Sequence, residues 1–148
     1  MQRRSLLLLI FTAIVSLGCD ESLSKFTGPT PDLQPTFSSI QRDIFTAPDS
    51  SGRPACTGCH IVRGGRPASG GMNLVGDAAY ANLVNAPSRD KPGAIRVIPG
   101  DPEHSYIIHK IEGRTDIAGV RMPQGGPYLT DGQISVIKRW IELGAPNN

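Results

Sequence analysis

The sequence predicts a small all-α domain whose helices are joined by long Gly/Pro-rich loops. Apolar residues recur three and four positions apart beside helix-capping residues in several segments, whereas few runs of the chain favour strands. The 17 glycines and 13 prolines among 148 residues indicate long irregular connections between the helices. The length itself corresponds to one domain.

The N-terminal segment, residues 1–18, has the pattern of a signal peptide. Arg3 and Arg4 supply a positive start, and the run from Leu6 to Leu17 carries no charge. Such a run is shorter than the roughly 20 residues that a membrane-spanning helix needs. We therefore expect an exported protein that works on the periplasmic side.

The leader ends in a pattern that resembles the lipobox of bacterial lipoproteins, Ser16-Leu17-Gly18-Cys19. In such proteins the cysteine becomes the lipidated first residue, and this would account for the one cysteine of three that lies outside the motif described below. Ordinary signal cleavage near Cys19 is the alternative. Because the following residues include several Ser, Thr and Pro, we predict that residues 19–35 form a lipidated cysteine and a flexible tether. The folded domain should then span residues 36–146.

This domain is predicted to begin with a helix over residues 38–46. Ser38 and Gln41 have the spacing of a capping box. The next residues, 48–54, favour turns and lead the chain into the motif that follows. The apolar residues of this first helix are Ile40, Ile44 and Phe45.

The next segment, Cys56-Thr57-Gly58-Cys59-His60, has the CXXCH pattern by which haem is covalently attached to a chain. Two thiols on one turn can reach two vinyl groups of a porphyrin and form thioethers. His60 can offer a neutral imidazole nitrogen to the iron as an axial ligand. The motif therefore predicts one covalent haem c, held by Cys56 and Cys59.

A zinc site and a dithiol redox centre are two other uses of the same residues. A structural zinc site needs a fourth close ligand, and the chain has no second CXXC. A thioredoxin-like dithiol would need a βαβ context, which this helical pattern does not provide. Neither use is favoured over haem.

Two further helices are predicted in the middle of the chain. The glycine-rich residues 63–71 should form a loop around the haem edge, and Asp77 should cap the helix that follows. Asp101 is expected to cap the next helix, with Pro102 at its first position and Gly113 at its end. The apolar positions are Tyr80, Leu83 and Val84 in the first of these helices and Ile107, Ile108 and Ile111 in the second.

The last helix has the clearest signals. Thr130 and Gln133 form a capping box, Leu129 and Ile134 have the spacing of a hydrophobic staple, and Gly144 marks the end. We expect this helix to pack against the first one. Its apolar positions are Ile134, Ile137, Trp140, Ile141 and Leu143.

A haem in an electron carrier needs a second axial ligand, either His or Met. Met122 is favoured, because Pro123 keeps its backbone out of the α region, in a loop over residues 121–127 that we predict to be extended. Met72 lies close behind His60 and suits core packing, but it remains the alternative ligand. The other candidates are His104 and His109, which we expect to be surface histidines.

Several segments together resemble the class I monohaem cytochrome c domains of exported planctomycete and deltaproteobacterial proteins. The segments are FSSIQRDIF, CTGCH, GGMNL, VIPGDPEHSYIIHKIEG, RMPQGG and IELGA. The resemblance covers residues 36–146 and implies a cytochrome c-like helical domain wrapped around haem, with crossing first and last helices. It also implies that the Met of the MP motif, Met122, binds the iron. The insert PDSSGRPA before Cys56 departs from the family pattern.

These residues favour an electron carrier over an enzyme. An iron that is bound by both His60 and Met122 has no open position for a substrate, and no nucleophile with a base and no carboxylate pair is evident. The alternative is a haem-based enzyme or a gas or redox sensor in which Met122 dissociates. Four arginines are expected either to be solvated or to pair with haem propionates, and not to be catalytic: Arg63, Arg66, Arg96 and Arg121. Arg121 is the favoured propionate partner.

The charge balance gives no sign of a nucleic-acid partner. The formal net charge is +2, and without Arg3 and Arg4 the chain has 13 basic and 13 acidic residues. We expect redox proteins as partners, such as a membrane oxidase or dehydrogenase, and contact with the membrane through the lipid anchor.

Overall fold

This computed structural model describes residues 32–148 of the chain, which contain four short helices. Helix α1 consists of an α-helical turn, Phe37–Ile40, continued by a π-helical turn, Gln41–Phe45. The other helices are α2 (Ala78–Leu83), α3 (Tyr106–Glu112) and α4 (Asp131–Glu142), and 3₁₀ turns span Cys56–Gly58 and Ser69–Gly71.

The described residues form no sheet, and their only strand-like pairs are isolated bridges such as Val84 with Val97. The prediction of a helical domain is confirmed at this level. Across residues 32–148, no helix combines the length and the apolar character needed to cross a membrane. The predicted signal peptide, Cys19 and the tether as far as residue 31 lie outside the described residues.

The N-cap of helix α1 lies two residues before the predicted one. The N-cap is Thr36, whose Oγ1 accepts a hydrogen bond from the backbone N–H of Ser39 at 3.3 Å. Gln41 does not complete a capping box with Ser38, because the Ser38 N–H donates to the Asn148 carbonyl at 2.8 Å. The side chain of Gln41 turns away instead, and its Nε2 donates to the carbonyl oxygen of Leu74 at 2.8 Å. The predicted cap is therefore wrong, since Gln41 reaches a distant loop that local spacing cannot reveal.

Helix α3 begins four residues later than predicted. Its N-cap is Ser105, and Asp101 instead closes a turn in which Oδ1 accepts from the N–H of His104 at 3.0 Å. The Ser105 hydroxyl also donates to the Asp101 carbonyl at 2.7 Å. These side-chain bonds stabilise a turn over the residues expected to be the first helical turn, so Pro102 is not helical. Gly113 ends the helix at φ 76°, as predicted.

Local sequence signals describe the start of α4 better than the start of α2. Asp77 precedes α2 as predicted but makes no capping hydrogen bond through its side chain. In α4 the predicted capping box is present: Thr130 Oγ1 accepts from the Gln133 N–H at 3.1 Å, and Gln133 Oε1 accepts from the Thr130 N–H at 3.0 Å. Leu143, expected on the apolar face, is 52% exposed.

The core joins the first and last helices, as expected. The rings of Phe37 and Trp140 lie 5.6 Å apart between centroids, and the Trp140 indole N–H donates to the Pro146 carbonyl at 2.9 Å. The N–H of Phe37 donates to the side-chain oxygen of Asn148 at 3.0 Å. Leu33 is also buried in this core, so the packed structure extends beyond residues 36–146 on both sides.

Candidate haem site

The CXXCH motif lies on a 3₁₀ turn that brings its two thiols onto one turn of chain. The N–H groups of Cys59 and His60 both donate to the Cys56 carbonyl, at 3.2 and 2.9 Å. Cys56 is half-buried against the core, Cys59 is exposed, and both thiols are free. The turn therefore presents one inner and one outer sulfur, neither of which is taken up by a disulfide.

The Cys56 thiol points back towards helix α1. Its Sγ lies 3.6 Å from the Ile44 carbonyl, which accepts a weak S–H hydrogen bond. Burial raises the pKa of the Cys56 thiol, although the nearby charge of Arg53 acts in the opposite direction. Both effects together leave the neutral thiol as the stable form.

One hydrogen bond fixes the tautomer of His60. Its Nδ1 lies 2.9 Å from the Ser69 carbonyl, and because a carbonyl only accepts, Nδ1–H is the donor. The lone pair of the neutral ring is then on Nε2. Burial is the main reason that the pKa of His60 is lowered. The Ser69 and Met72 carbonyls act in the opposite direction, and the charges of Arg96 and Lys110 lower the pKa further. The ring is therefore a neutral imidazole with one nitrogen available.

The loop after His60 is fixed at both ends. The N–H of Leu74 donates to the His60 carbonyl at 2.9 Å, and the N–H of Ser69 donates to the Cys59 carbonyl at 3.2 Å. Arg96 supports the turn between them, with Nη2 donating to the Gly70 carbonyl at 2.9 Å. The acceptor of the His60 Nδ1–H is thereby held in place.

The four arginines considered as propionate partners have different environments. Arg96 is buried, and its other guanidinium nitrogen donates to the Asn82 carbonyl at 2.8 Å, so it is not a solvated residue. The Arg121 Nε donates to the Ile111 carbonyl at 2.8 Å, and its guanidinium lies 4.1 Å from the centroid of the Tyr128 ring. Arg63 and Arg66 are exposed on a small bridge.

Met122 lies on a loop that is tied to helix α3. Its N–H donates to the Lys110 carbonyl at 2.8 Å, while the Lys110 ammonium donates to the carbonyls of Ala118 and Val120 at 2.8 and 2.6 Å. Because the charge of Lys110 also acts on the pKa of His60, this end of α3 lies within electrostatic reach of the imidazole.

The backbone around Met122 bends more than the sequence predicted. Residues 122–125 form a bend and a turn, in which the Gly126 N–H donates to the Pro123 carbonyl at 3.0 Å. The segment is non-helical, as expected, but the prediction of an extended backbone is wrong. Two adjacent glycines at positive φ, Gly125 and Gly126, permit this turn.

The other candidate ligands are engaged elsewhere. Met72 packs against the hydrophobic core. His104 is exposed, with Nδ1 2.7 Å from an Asp101 carboxylate oxygen. His109 has Nδ1 2.9 Å from an Asp116 carboxylate oxygen and Nε2 2.7 Å from the Glu103 carbonyl, so both of its nitrogens are occupied.

A buried ion pair next to the motif was not predicted from the sequence. The Arg53 side chain is completely buried, and its Nε donates to Asp49 Oδ2 at 2.9 Å. Burial raises the pKa of Asp49, but bonds from Ser51 and Arg53 outweigh it and hold that pKa at about 2. The turn-forming composition of residues 48–54 indicated a loop and gave no signal for a buried arginine.

The donor groups fit a covalently bound haem. Two free thiols on one turn, a neutral imidazole with Nε2 available and a thioether on a separate anchored loop are the groups that haem c requires. Among residues 32–148, no three side chains of His, Cys, Asp or Glu meet so as to hold a metal ion, so Cys56, Cys59 and His60 do not converge on one point.

No family model, curated protein or solved structure matches this chain. The likeness to cytochrome c therefore depends on the sequence motifs, and the assignment of the site depends on the contacts of its own residues.

Proposed function

We propose that the protein is an exported monohaem c-type cytochrome that transfers single electrons through a His/Met-ligated haem. The observation that carries this proposal is the hydrogen bond from His60 Nδ1–H to the Ser69 carbonyl, directly after a turn that presents two free thiols. This bond leaves Nε2 as a ligand nitrogen and fixes the plane of the ring.

Each donor residue has a distinct role in the proposed site. Cys56 and Cys59 would hold the haem through two thioethers, and His60 and Met122 would bind its iron. When bound, the haem supplies a one-electron Fe(III)/Fe(II) couple. A thioether ligand favours the reduced state and so raises the reduction potential.

The anchoring of Met122 favours a carrier over an enzyme. The Met122 N–H is bonded to the Lys110 carbonyl at 2.8 Å, so the backbone that carries the thioether is held in place. Lys110 also holds two carbonyls of the preceding loop. We therefore assign no catalytic residue and place a closed, six-coordinate electron carrier first.

The cellular setting is proposed from the leader sequence. Residues 1–18 would direct export and Cys19 would become lipidated, so the domain would be tethered to a membrane on the periplasmic side. Redox proteins of that membrane, such as an oxidase or a dehydrogenase, are then the partners. A Cys19→Ser variant should move the protein from the membrane fraction to the soluble fraction.

The function is tested by producing the protein in a host that attaches haem c. We expect a red protein whose mass includes one haem that denaturation and acid–acetone extraction do not remove. The matched control, Cys56→Ala with Cys59→Ala, should lose that covalent mass. A colourless product containing zinc would contradict the proposal.

Carbon monoxide distinguishes a carrier from a sensor or an enzyme. An iron whose sixth position is filled by Met122 should bind carbon monoxide slowly and incompletely at neutral pH, because the ligand must first dissociate. Rapid and complete binding by the ferrous protein would instead support a gas sensor or a haem enzyme.

A further inference from the structure

Arg53 donates hydrogen bonds to three backbone carbonyls near Cys56, the first cysteine of the CXXCH motif. Its Nη1 donates to the Ile44 carbonyl in helix α1 at 3.0 Å and to the Pro54 carbonyl at 3.2 Å. Its Nη2 donates to the Ala47 carbonyl at 3.3 Å. One planar guanidinium therefore joins the end of α1 to the residues directly before Cys56.

Asp49 completes this arrangement as the charged partner of the guanidinium. Its carboxylate accepts from Arg53 Nε at 2.9 Å and from the backbone N–H of Arg53 at 3.2 Å. The side chains are 0% and 4% exposed for Arg53 and Asp49 respectively. The two side chains stay together, because separating them would leave an uncompensated buried charge. The pair therefore holds the Arg53 guanidinium in place.

Cys56 shares an acceptor with this pair. The Ile44 carbonyl that accepts from Arg53 Nη1 at 3.0 Å lies 3.6 Å from Cys56 Sγ. The position of the sulfur therefore depends on the same carbonyl that the guanidinium holds. Within residues 32–148, no side-chain hydrogen bond supports Cys59, which is exposed.

We propose that Arg53, held by Asp49, is a positioning residue that fixes the Cys56 thiol for attachment to haem. The inference depends on the proposed function and adds a residue to it. Each thioether forms when an S–H group adds across a vinyl C=C bond: sulfur bonds to one carbon, hydrogen goes to the other, and no oxidant is consumed. Both thiols must meet one porphyrin edge, so a displaced Cys56 would leave Cys59 to react alone.

The test measures each thiol separately in a host that attaches haem c. The Cys59→Ala chain can attach haem only through Cys56, and the Cys56→Ala chain only through Cys59. Arg53→Met should reduce covalent attachment in the Cys59→Ala background about tenfold, the effect of losing roughly one net hydrogen bond. In the Cys56→Ala background it should change attachment less than about twofold. The readout is the mass of the intact chain.

Two variants separate positioning from charge and from folding. Arg53→Lys keeps the positive charge but cannot reach the three carbonyls, so it should behave like Arg53→Met. Arg53→Met with Asp49→Asn removes the unpaired carboxylate and should fold, yet still attach haem poorly through Cys56. Arg42→Met, at an exposed arginine paired with Asp43, is the matched control and should leave attachment unchanged.

Equal losses through Cys56 and Cys59, or no loss through either, would overturn the inference. Amide hydrogen exchange of the haem-free protein provides a readout that does not need the cofactor. Arg53→Met should speed exchange in the peptide covering residues 47–58 and leave helix α4 unchanged. If the wild-type chain carried no haem, the proposed function would fail while this anchoring remained measurable.

Discussion

The orientation of one imidazole determines what the CXXCH motif can bind. His60 donates Nδ1–H to the Ser69 carbonyl at 2.9 Å, and burial lowers its pKa, so the neutral ring keeps a lone pair on Nε2. The N–H of Ser69 in turn donates a hydrogen bond to the Cys59 carbonyl, which holds Ser69 in place. In the proposed site, the nitrogen that would bind the iron is therefore defined by the protein alone, which is the usual role of a second hydrogen bond on a ligating histidine.

The proposed role of Met122 as an iron ligand can be tested by substitution. Met122→Ala should leave the haem covalently attached, lower its reduction potential and abolish the weak red absorption band of ferric iron bonded to sulfur. The physical reason is that the soft thioether stabilises the reduced iron. The measurements are a redox titration and the absorption spectrum of the ferric protein.

Met72→Ala is the matched control, because Met72 packs against the hydrophobic core. We expect it to keep the red band and to lower the stability by about 1–2 kcal/mol, because Met72 is only partly buried and loses part of the packing that a full core residue would lose. If the band survived in Met122→Ala and disappeared in Met72→Ala, the ligand assignment would pass to Met72.

Asp49 gives a prediction about acid stability. Its pKa is held at about 2 in the folded chain, below the ordinary value of 3.8, so the folded state binds fewer protons than the unfolded state. The stability from this group is present above pH 3.8 and is lost as the pH falls towards 2, a change of about 2 kcal/mol. Denaturant unfolding at several pH values in this range measures it.

The variant for this test is Arg53→Met with Asp49→Asn, which should flatten the slope of unfolding free energy against pH between about 4 and 2. Asp77→Asn is the control, because Asp77 is exposed and makes no capping hydrogen bond through its side chain. An unchanged slope in the double variant would show that the buried pair does not stabilise the fold through this titration.

At the residue scale, a short motif could be recognised from the sequence whereas a long-range contact could not. Cys56, Cys59 and His60 were identified because the chemistry needs them adjacent in the chain. Arg53 was missed because its acceptors come from helix α1 and from the loop itself, and no local pattern records that a guanidinium will be buried. The Ser69 carbonyl is a backbone atom, so residue type could not identify it.

At the scale of elements, caps decide where the helices begin, and the sequence placed two of them incorrectly. Ser38 and Asp101 have the right residue types, but Thr36 and Ser105 hold the cap positions. The capping box at Thr130 was predicted correctly, since both of its partners are local and nothing else competes for Gln133 Oε1. Local spacing identifies a helix more reliably than it identifies its first residue.

The two candidate caps of α1 give a direct comparison. Thr36→Ala should lower the unfolding free energy by about 1 kcal/mol, because the Ser39 N–H loses its acceptor. Ser38→Ala should change it by less than about 0.5 kcal/mol, because Ser38 is exposed and caps nothing. Chemical denaturation of both variants measures the difference, and a larger effect at Ser38 would contradict the observed cap.

At the scale of the whole molecule, the two ends of the described chain close on each other. Phe37 contacts Trp140 through its ring and Asn148 through its backbone, while Tyr80 donates to the Ala145 carbonyl at 2.9 Å. The sequence predicted contact between the first and last helices. It did not predict that the residues beyond α4 would bond to α1 and α2, because those bonds join groups that are far apart in the chain.

This closure makes Trp140 a reporter for haem within the fold. Trp140 is the single tryptophan of the chain and is fully buried. A domain of this size has a radius of gyration of about 13 Å, so a haem anywhere within it lies close enough to accept excitation energy from the indole. The folded holoprotein should therefore fluoresce several-fold less than the haem-free Cys56→Ala, Cys59→Ala chain, and unfolding should restore the emission.

Denaturant unfolding followed by Trp140 emission also tests whether haem stabilises the whole domain. A buried haem adds apolar contacts that the haem-free chain lacks, so the holoprotein should unfold at a higher denaturant concentration than the double-alanine chain. The recovery of Trp140 emission should coincide with the loss of helical circular dichroism, since the indole lies between α1 and α4. Equal midpoints with and without haem would mean that the cofactor is held at the surface and is not part of the core.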